Sequence, residues 1–189
     1  MIADWSELIA EVVTRTGDGS VATRAEMLTG FAENDLNRRL RMGPMETQTT
    51  LTTDADGTAY LPSDFLQMRR LMVGTNNLTG CTYDELQNRY YGYSTVNGTL
   101  KTRFGDTDLS LAYYAKLPGL VENCTNWLLE MAPELYLVAI QRQAYVAKLD
   151  VQNAQLAEGA VASLIQDLQH SDFAARMVGS AYTLEGPTP

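Results

Sequence analysis

The chain is poor in the residue types from which reactive sites are most often built. Among its 189 residues are two cysteines, Cys81 and Cys124, and one histidine, His170. Two cysteines make no disulfide framework, and their spacing matches no metal-binding motif. The lone His170 falls near the end of a polar helical segment, where a surface residue is the simpler reading. No Ser/His/Asp or Cys/His arrangement is present, and no EF-hand spacing. Gly17-Asp18-Gly19 lies between two helical segments instead of after a strand, so it lacks the context of a dinucleotide-binding loop. No apolar run approaches the roughly 20 residues of a membrane helix. The start, MIADWSEL, has neither the basic region nor the apolar run of a signal peptide. These absences lead to the expectation of a non-enzyme without cofactor or metal, made in a reducing cytoplasm and not membrane-bound.

Positive charge is also scarce. There are 14 Lys and Arg against 23 Asp and Glu, a formal net charge of −9. Gripping duplex DNA calls for a basic footprint, which this chain lacks. An acidic surface past which DNA slides is compatible with the composition, as is charge that only keeps the protein dispersed. The carboxylates are numerous enough that an acid/base pair could be drawn from many of them. Solvated helix faces account for them more simply.

The hydrophobic content of 45% and charged content of 20% are those of a globular domain large enough to bury a core. Residues 4–15 predict an amphipathic helix capped by Asp4, with Glu7 completing a capping box. Its apolar face is Trp5, Leu8, Ile9, Val12 and Val13. A longer helix is predicted over 21–42, started by Thr23 and Glu26. Its stripe is Met27, Leu28, Phe31, Leu36 and Leu40, and Gly43-Pro44 ends it. Residues 46–60 alternate in polarity around Asp54-Ala55-Asp56-Gly57 and read as a β-hairpin. Segment 66–73 fits strand or helix equally, and 74–92 reads mostly as loop with a helical turn at 83–89. Asn97-Gly98 marks a second hairpin. In 108–116, Leu109, Leu111 and Tyr113 share one face. Helices follow over 126–131, with Thr125 as a cap, from Pro133 to about 149, and over 151–177 with a stripe of Leu156, Val161, Leu164, Ile165 and Leu168. The last two should pack antiparallel. Trp5, Leu8, Leu28, Phe31, Leu36, Leu135, Leu164 and Leu168 are the expected core.

The fold class expected is α+β, mainly α: a helical bundle with an inserted antiparallel β-hairpin region and a flexible C-terminal tail. Residues 1–179 form a single domain, with a helical body at 1–44 and 120–179 and a β excursion at 45–119. Residues 180–189 form the tail. Tyr83, Tyr90, Tyr91 and Tyr93, with Arg89, make the one conspicuous aromatic cluster. Such residues suit strands, anchor subunit interfaces, or stack on single-stranded bases. Arg89, Tyr90, Tyr91 and Tyr93 are therefore candidate interface anchors.

The order of segments resembles the head–tail adaptor, or connector, proteins of tailed bacteriophages. The resemblance is carried by AENDLNRRLR at 32–41, METQTTL at 45–51, LPSDFL at 61–66 and Met68-Arg69-Arg70. It continues through LAYYAKLP at 111–118, TNWLL at 125–129 and APELYL at 132–137. It spans about residues 4–178. It implies a ring, usually of about twelve copies, beneath the portal protein in the virion neck. Such a ring extends the DNA channel and offers a platform to a downstream tail or nozzle protein, while DNA passes without sequence-specific binding. The resemblance also implies a C-terminal arm that reaches the portal, and Ala181, Tyr182 and Leu184 are the apolar anchors available there. A tail-completion or stopper protein of the neck is the alternative, and a small carboxylate-dependent hydrolase a more distant one.

Overall fold

The computed structural model describes residues 2–178, so the tail anchors Ala181, Tyr182 and Leu184 lie outside the described residues. The chain is α+β. Its contacts gather into two units, one formed by 1–43 with 117–189 and the other by 44–116.

In the first unit, Trp5–Thr16 forms helix α1. The Glu7 N–H donates to Asp4 Oδ1 at 2.9 Å, and Glu7 Oε2 reaches back to the Ala3 N–H at 2.8 Å. Gly17, at φ 61°, ends the helix in the left-handed conformation that glycine adopts without strain. The predicted helix 21–42 is in fact two: α2 at Ser20–Thr23 and α3 at Ala25–Arg39. The Thr23/Glu26 capping box does not form. The Thr23 hydroxyl donates instead to the Ser20 carbonyl, and α3 starts at Arg24 without a side-chain cap. Four helices follow the re-entry of the chain: α4 at Leu120–Asn123, α5 at Trp127–Met131, α6 at Pro133–Ala147 and α7 at Val151–Val178. Pro133 sits in the first turn of α6, where its missing N–H costs nothing.

The buried face of this unit contains Leu8, Val12, Leu28, Ala32, Leu36, Leu40, Leu128, Leu135, Tyr136, Ile140 and Val161. Three residues assigned to apolar stripes are exposed: Met27, Phe31 and Leu156. Leu164 and Leu168 are half-buried. The α7 face turns inward through Ala157, Val161 and Ile165 at four-residue steps, so the stripe begins one residue later than Leu156. A small Ala157 is a weak periodicity signal beside a Leu.

The second unit holds two four-stranded sheets. Strands β1 (Glu46–Thr52), β2 (Thr58–Tyr60), β3 (Phe65–Val73), β4 (Asn76–Asn77), β5 (Thr79–Gly80), β6 (Gly92–Val96), β7 (Thr99–Thr102) and β8 (Asp108–Ala115) are arranged as β1-β8-β3-β4 and β2-β7-β6-β5. Only β5 and β6 run parallel. Leu51, Leu71, Leu109, Leu111 and Tyr113 of the first sheet share a core with Ala59 and Leu100 of the second. Segment 66–73 is thus strand.

The hairpin read at 46–60 is not one. β1 pairs with β8 and β2 with β7, so the Asp54–Gly57 turn carries the chain between sheets. The cause is local. Asp54 Oδ1 accepts the N–H groups of Asp56 and Thr58, while Thr53 Oγ1 donates to the Phe104 carbonyl and accepts from Thr107 N. The turn is therefore bound to 104–107 instead of folding β2 onto β1. Gly57 is required here: a Cβ on it would stand 2.4 Å from the Thr102 carbonyl oxygen. Asn97 and Gly98, both at positive φ, turn β6 into an antiparallel β7.

The re-entry segment 117–126 is pinned by side chains. Asn37 Oδ1 accepts the Leu117 N–H at 2.9 Å, and Glu33 Oε1 accepts the Leu120 N–H at 2.8 Å. Asn126, not Thr125, caps α5, accepting from Leu128 N and Leu129 N. It has the extended backbone a cap needs, at φ −154° and ψ 170°, and the Thr125 hydroxyl has no partner among the described residues. Asn126 Nδ2 donates to the Pro118 carbonyl and to the Tyr136 hydroxyl, which in turn bonds the Glu33 carboxylate. Asn126→Ala should cost about 2–4 kcal/mol, the sum of a lost cap and buried groups left unpaired. Chemical denaturation of the two proteins measures it, and a loss below about 0.5 kcal/mol contradicts this role.

Burial raises the Glu33 carboxyl above its ordinary value of 4.5, with Glu122 nearby adding to the effect. The folded chain therefore holds this proton more tightly than the unfolded chain. Its contribution is fully present below about pH 4.5 and is lost as pH rises through the raised value. Glu33→Gln retains an acceptor for Leu120 N and removes the titration. The unaltered chain should lose stability relative to this variant as pH rises through that window. Parallel melting curves with no such divergence would contradict the assignment.

Candidate functional site: assembly surfaces

Among the described residues no three His, Cys, Asp or Glu side chains gather into a metal site. His170 is exposed on α7. Cys81 is half-buried and Cys124 exposed, and both are free thiols. Two stretches of exposed apolar surface among the described residues bear on the candidate site.

On the second unit, Tyr90 and Tyr91 meet edge to face at 4.9 Å between ring centroids. Phe104 joins them, 5.2 Å from Tyr90 and stacked 5.8 Å from Tyr91. The Arg103 guanidinium lies 6.0 Å from the Tyr90 ring centre and donates to the Gln87 carbonyl at 2.9 Å. Tyr90 and Tyr91 remain 60% and 43% exposed. Of the four predicted anchors, then, two come together. Arg89 is exposed and acts electrostatically on Glu85. Tyr93 packs on the core of the unit, where burial raises its hydroxyl pKa, and so it is not part of the patch. Phe104 and Arg103 were missed because only the β6–β7 return brings them back to Tyr90. No local sequence pattern marks that proximity.

On the first unit the surface lies at the α6–α7 turn. Val146, Leu149, Val151 and Ala154 line a groove of about 340 Å³ that ends at Arg142 and Glu158. Leu149 is 86% exposed and sits at φ 61°. Leucine is a poor occupant on both counts, since left-handed backbone costs an L-residue about 1–2 kcal/mol and glycine almost nothing.

The groove is held by charge. Arg39 and Arg142 each bridge Asp35 and Glu158, with N–O distances of 2.5 to 3.4 Å, so four side chains tie α3, α6 and α7 together. The Arg39 hydrogen bond is the main reason the Glu158 carboxyl lies below its ordinary range. Lys148 pairs with Asp18 at 2.9 Å and is the largest cause that lowers the Asp18 carboxyl to about 2. Asp35, Glu158 and Asp18 therefore have definite ion-pair partners.

The chain thus turns toward solvent an aromatic patch with a cation beside it and, elsewhere, a strained apolar turn. Its sequence matches the family model described as SU10 adaptor protein over residues 3–182. The chain belongs to this family of phage head–tail adaptors. No curated protein matches it.

Leu149→Gly relieves the left-handed strain and removes an exposed apolar side chain. It should leave the fold equally stable or stabilise it by about 1 kcal/mol. A destabilisation in thermal melting would show that Leu149 supports the turn and is not surface kept for contact.

Proposed function

We propose that this chain is the structural, non-catalytic subunit of a head–tail adaptor ring in the virion neck. The ring sits below the portal, extends the DNA channel and gives the tail its attachment platform. Twelve copies is the number the family resemblance implies. The observation that carries the reading is Leu149, an apolar residue kept exposed at a strained backbone position, as a contact residue is and a fold-supporting residue is not. A ring needs two different surfaces on each subunit, one meeting the other on the next copy. The α6–α7 turn and the patch of Tyr90, Tyr91, Phe104 and Arg103 are two such surfaces. The net charge of −9 suits a lumen through which DNA moves without being held. The C-terminal Ala181, Tyr182 and Leu184 dock on the portal in this reading.

The test is association with the portal protein of the same phage, followed by negative-stain microscopy and by mass. The full chain should form a closed ring on the portal, and Leu149→Gly should weaken ring closure by about tenfold while the chain stays folded. A chain truncated after Gly179 should keep its melting temperature and fail to bind. No binding by the full chain would overturn the portal-proximal placement in favour of a stopper position further along the neck.

A further inference from the structure

The Arg103 guanidinium that lies by Tyr90 also borders a hollow in the β insert. Tyr83, Leu86, Gln87, Lys101, Thr102 and Arg103 line it, around a volume of about 470 Å³. Leu86, in the short 3-10 helix Glu85–Asn88, is buried, and Tyr83 is 58% exposed. Both cations are held in place by neutral groups. Lys101 Nζ donates to Thr58 Oγ1 at 3.0 Å, and Arg103 donates to the Gln87 carbonyl at 2.9 Å. Neither forms an ion pair among the described residues. The nearby Glu85 carboxylate is spent on the Thr82 N–H. The chain has 23 Asp and Glu against 14 Lys and Arg, yet these two cations line one hollow without a carboxylate. Such a site is complementary to an apolar group that brings an anion with it.

The α6–α7 turn has that pair of groups. Leu149 is exposed at left-handed φ, and Asp150 follows it. The Asp150 carboxylate accepts from the Asn153 N–H and from Asn153 Nδ2, and it forms no ion pair among the described residues. Lys148, on the other side of Leu149, is turned to Asp18, so it does not bring a third cation to the contact. Neither surface is complementary to its own copy. Two hollows face to face would set Lys101 and Arg103 against the same cations, and two turns would set Asp150 against Asp150.

We propose that Leu149 of one copy seats in the hollow of the next, against Tyr83 and Leu86, with Asp150 facing Lys101 and Arg103. The contact deepens the ring reading and rests on it. It is head-to-tail: each copy gives one apolar knob and receives one, so the contact propagates around an axis. Leucine then has a reason to stand where glycine would be at ease. Glycine relieves the backbone and leaves nothing to fill the hollow. Aliphatic packing against an aromatic ring supplies the attraction, and the carboxylate between two cations sets which side of the next copy is met.

Disulfide trapping on the portal protein of the same phage tests it, in the full chain with Cys81→Ser and Cys124→Ser. Gln87 holds Arg103 through its backbone carbonyl, which Gln87→Cys leaves in place. After mild oxidation, the chain with both Leu149→Cys and Gln87→Cys should give a ladder of cross-linked copies on a non-reducing gel. The two single-cysteine chains, mixed, should give pairs and nothing larger, because the contact has two unlike sides. Either one alone should give no cross-link. Asp150→Asn keeps an acceptor for the Asn153 N–H and removes the charge, and should raise the concentration needed for ring closure about threefold. Rings counted by negative stain under reducing conditions keep two failures apart. No ring removes the ring reading and the contact with it. A ring without a ladder removes the contact alone and leaves the hollow to a partner other than the next copy. A disulfide within one chain, pairs from Leu149→Cys alone, or closure indifferent to Asp150→Asn also overturns the proposal.

Discussion

Two side chains one turn apart on α3, Glu33 and Asn37, receive the chain as it returns from the β insert. Each accepts a backbone N–H, from Leu120 and Leu117 respectively. These backbone donors lie outside any long helix, and leaving either unpaired where it is buried costs about 1–3 kcal/mol. The rest of the helical unit follows from the fixed path of this segment. Asn126 holds the Pro118 carbonyl and starts α5, and the Trp5 N–H donates to the Cys124 carbonyl, which places the start of α1 against the same segment. Tyr136, fully buried on α6, joins Asn126 to Glu33. Neutral, hydrogen-bonded Asn and Tyr can be buried at little net cost, whereas the carboxyl of Glu33 cannot, which is why its proton is held more tightly.

The same logic explains how a 73-residue insert, residues 44–116, can interrupt a helical unit. β1 and β8 are its first and last strands and pair directly, Glu46 opposite Tyr114. The insert therefore leaves close to where it enters, and its own core does not depend on a distant closure. Gly43, the last residue before it, donates its N–H to Asp172 Oδ1 on α7, and a Cβ there would stand 3.0 Å from that oxygen. Gly43 and Leu117, the residues of the helical unit on either side of the insert, each give a backbone N–H to a side chain of that same unit.

Helix positions were legible because capping and periodicity are local. Asp4 with Glu7, and Pro133 in the first turn of α6, behave as the sequence implies. Met27 and Phe31 fit an apolar stripe yet face solvent, because pattern alone does not tell which face a helix buries. The Asp54–Gly57 turn was recognisable as a turn. What it joins was not, since its partners at 104–107 lie some fifty residues on. The candidate site shows the same division. Tyr90 and Tyr91 could be picked out as a local cluster, but Phe104, Arg103 and the four-membered Asp35, Arg39, Arg142 and Glu158 network exist only through long-range folding. A left-handed Leu149 leaves no trace in a sequence pattern.

The chain belongs to a head–tail adaptor family, and the exposed α6–α7 turn and the Tyr90–Phe104 patch are the surfaces that the proposed role would use. The central claim is positional, and cryo-electron microscopy of intact phage tests it most directly. The account requires density fitting this helical unit and β insert at the one vertex where head meets tail, repeated around the axis. Particles lacking the chain, or holding it in the capsid lattice or the distal tail, would contradict it.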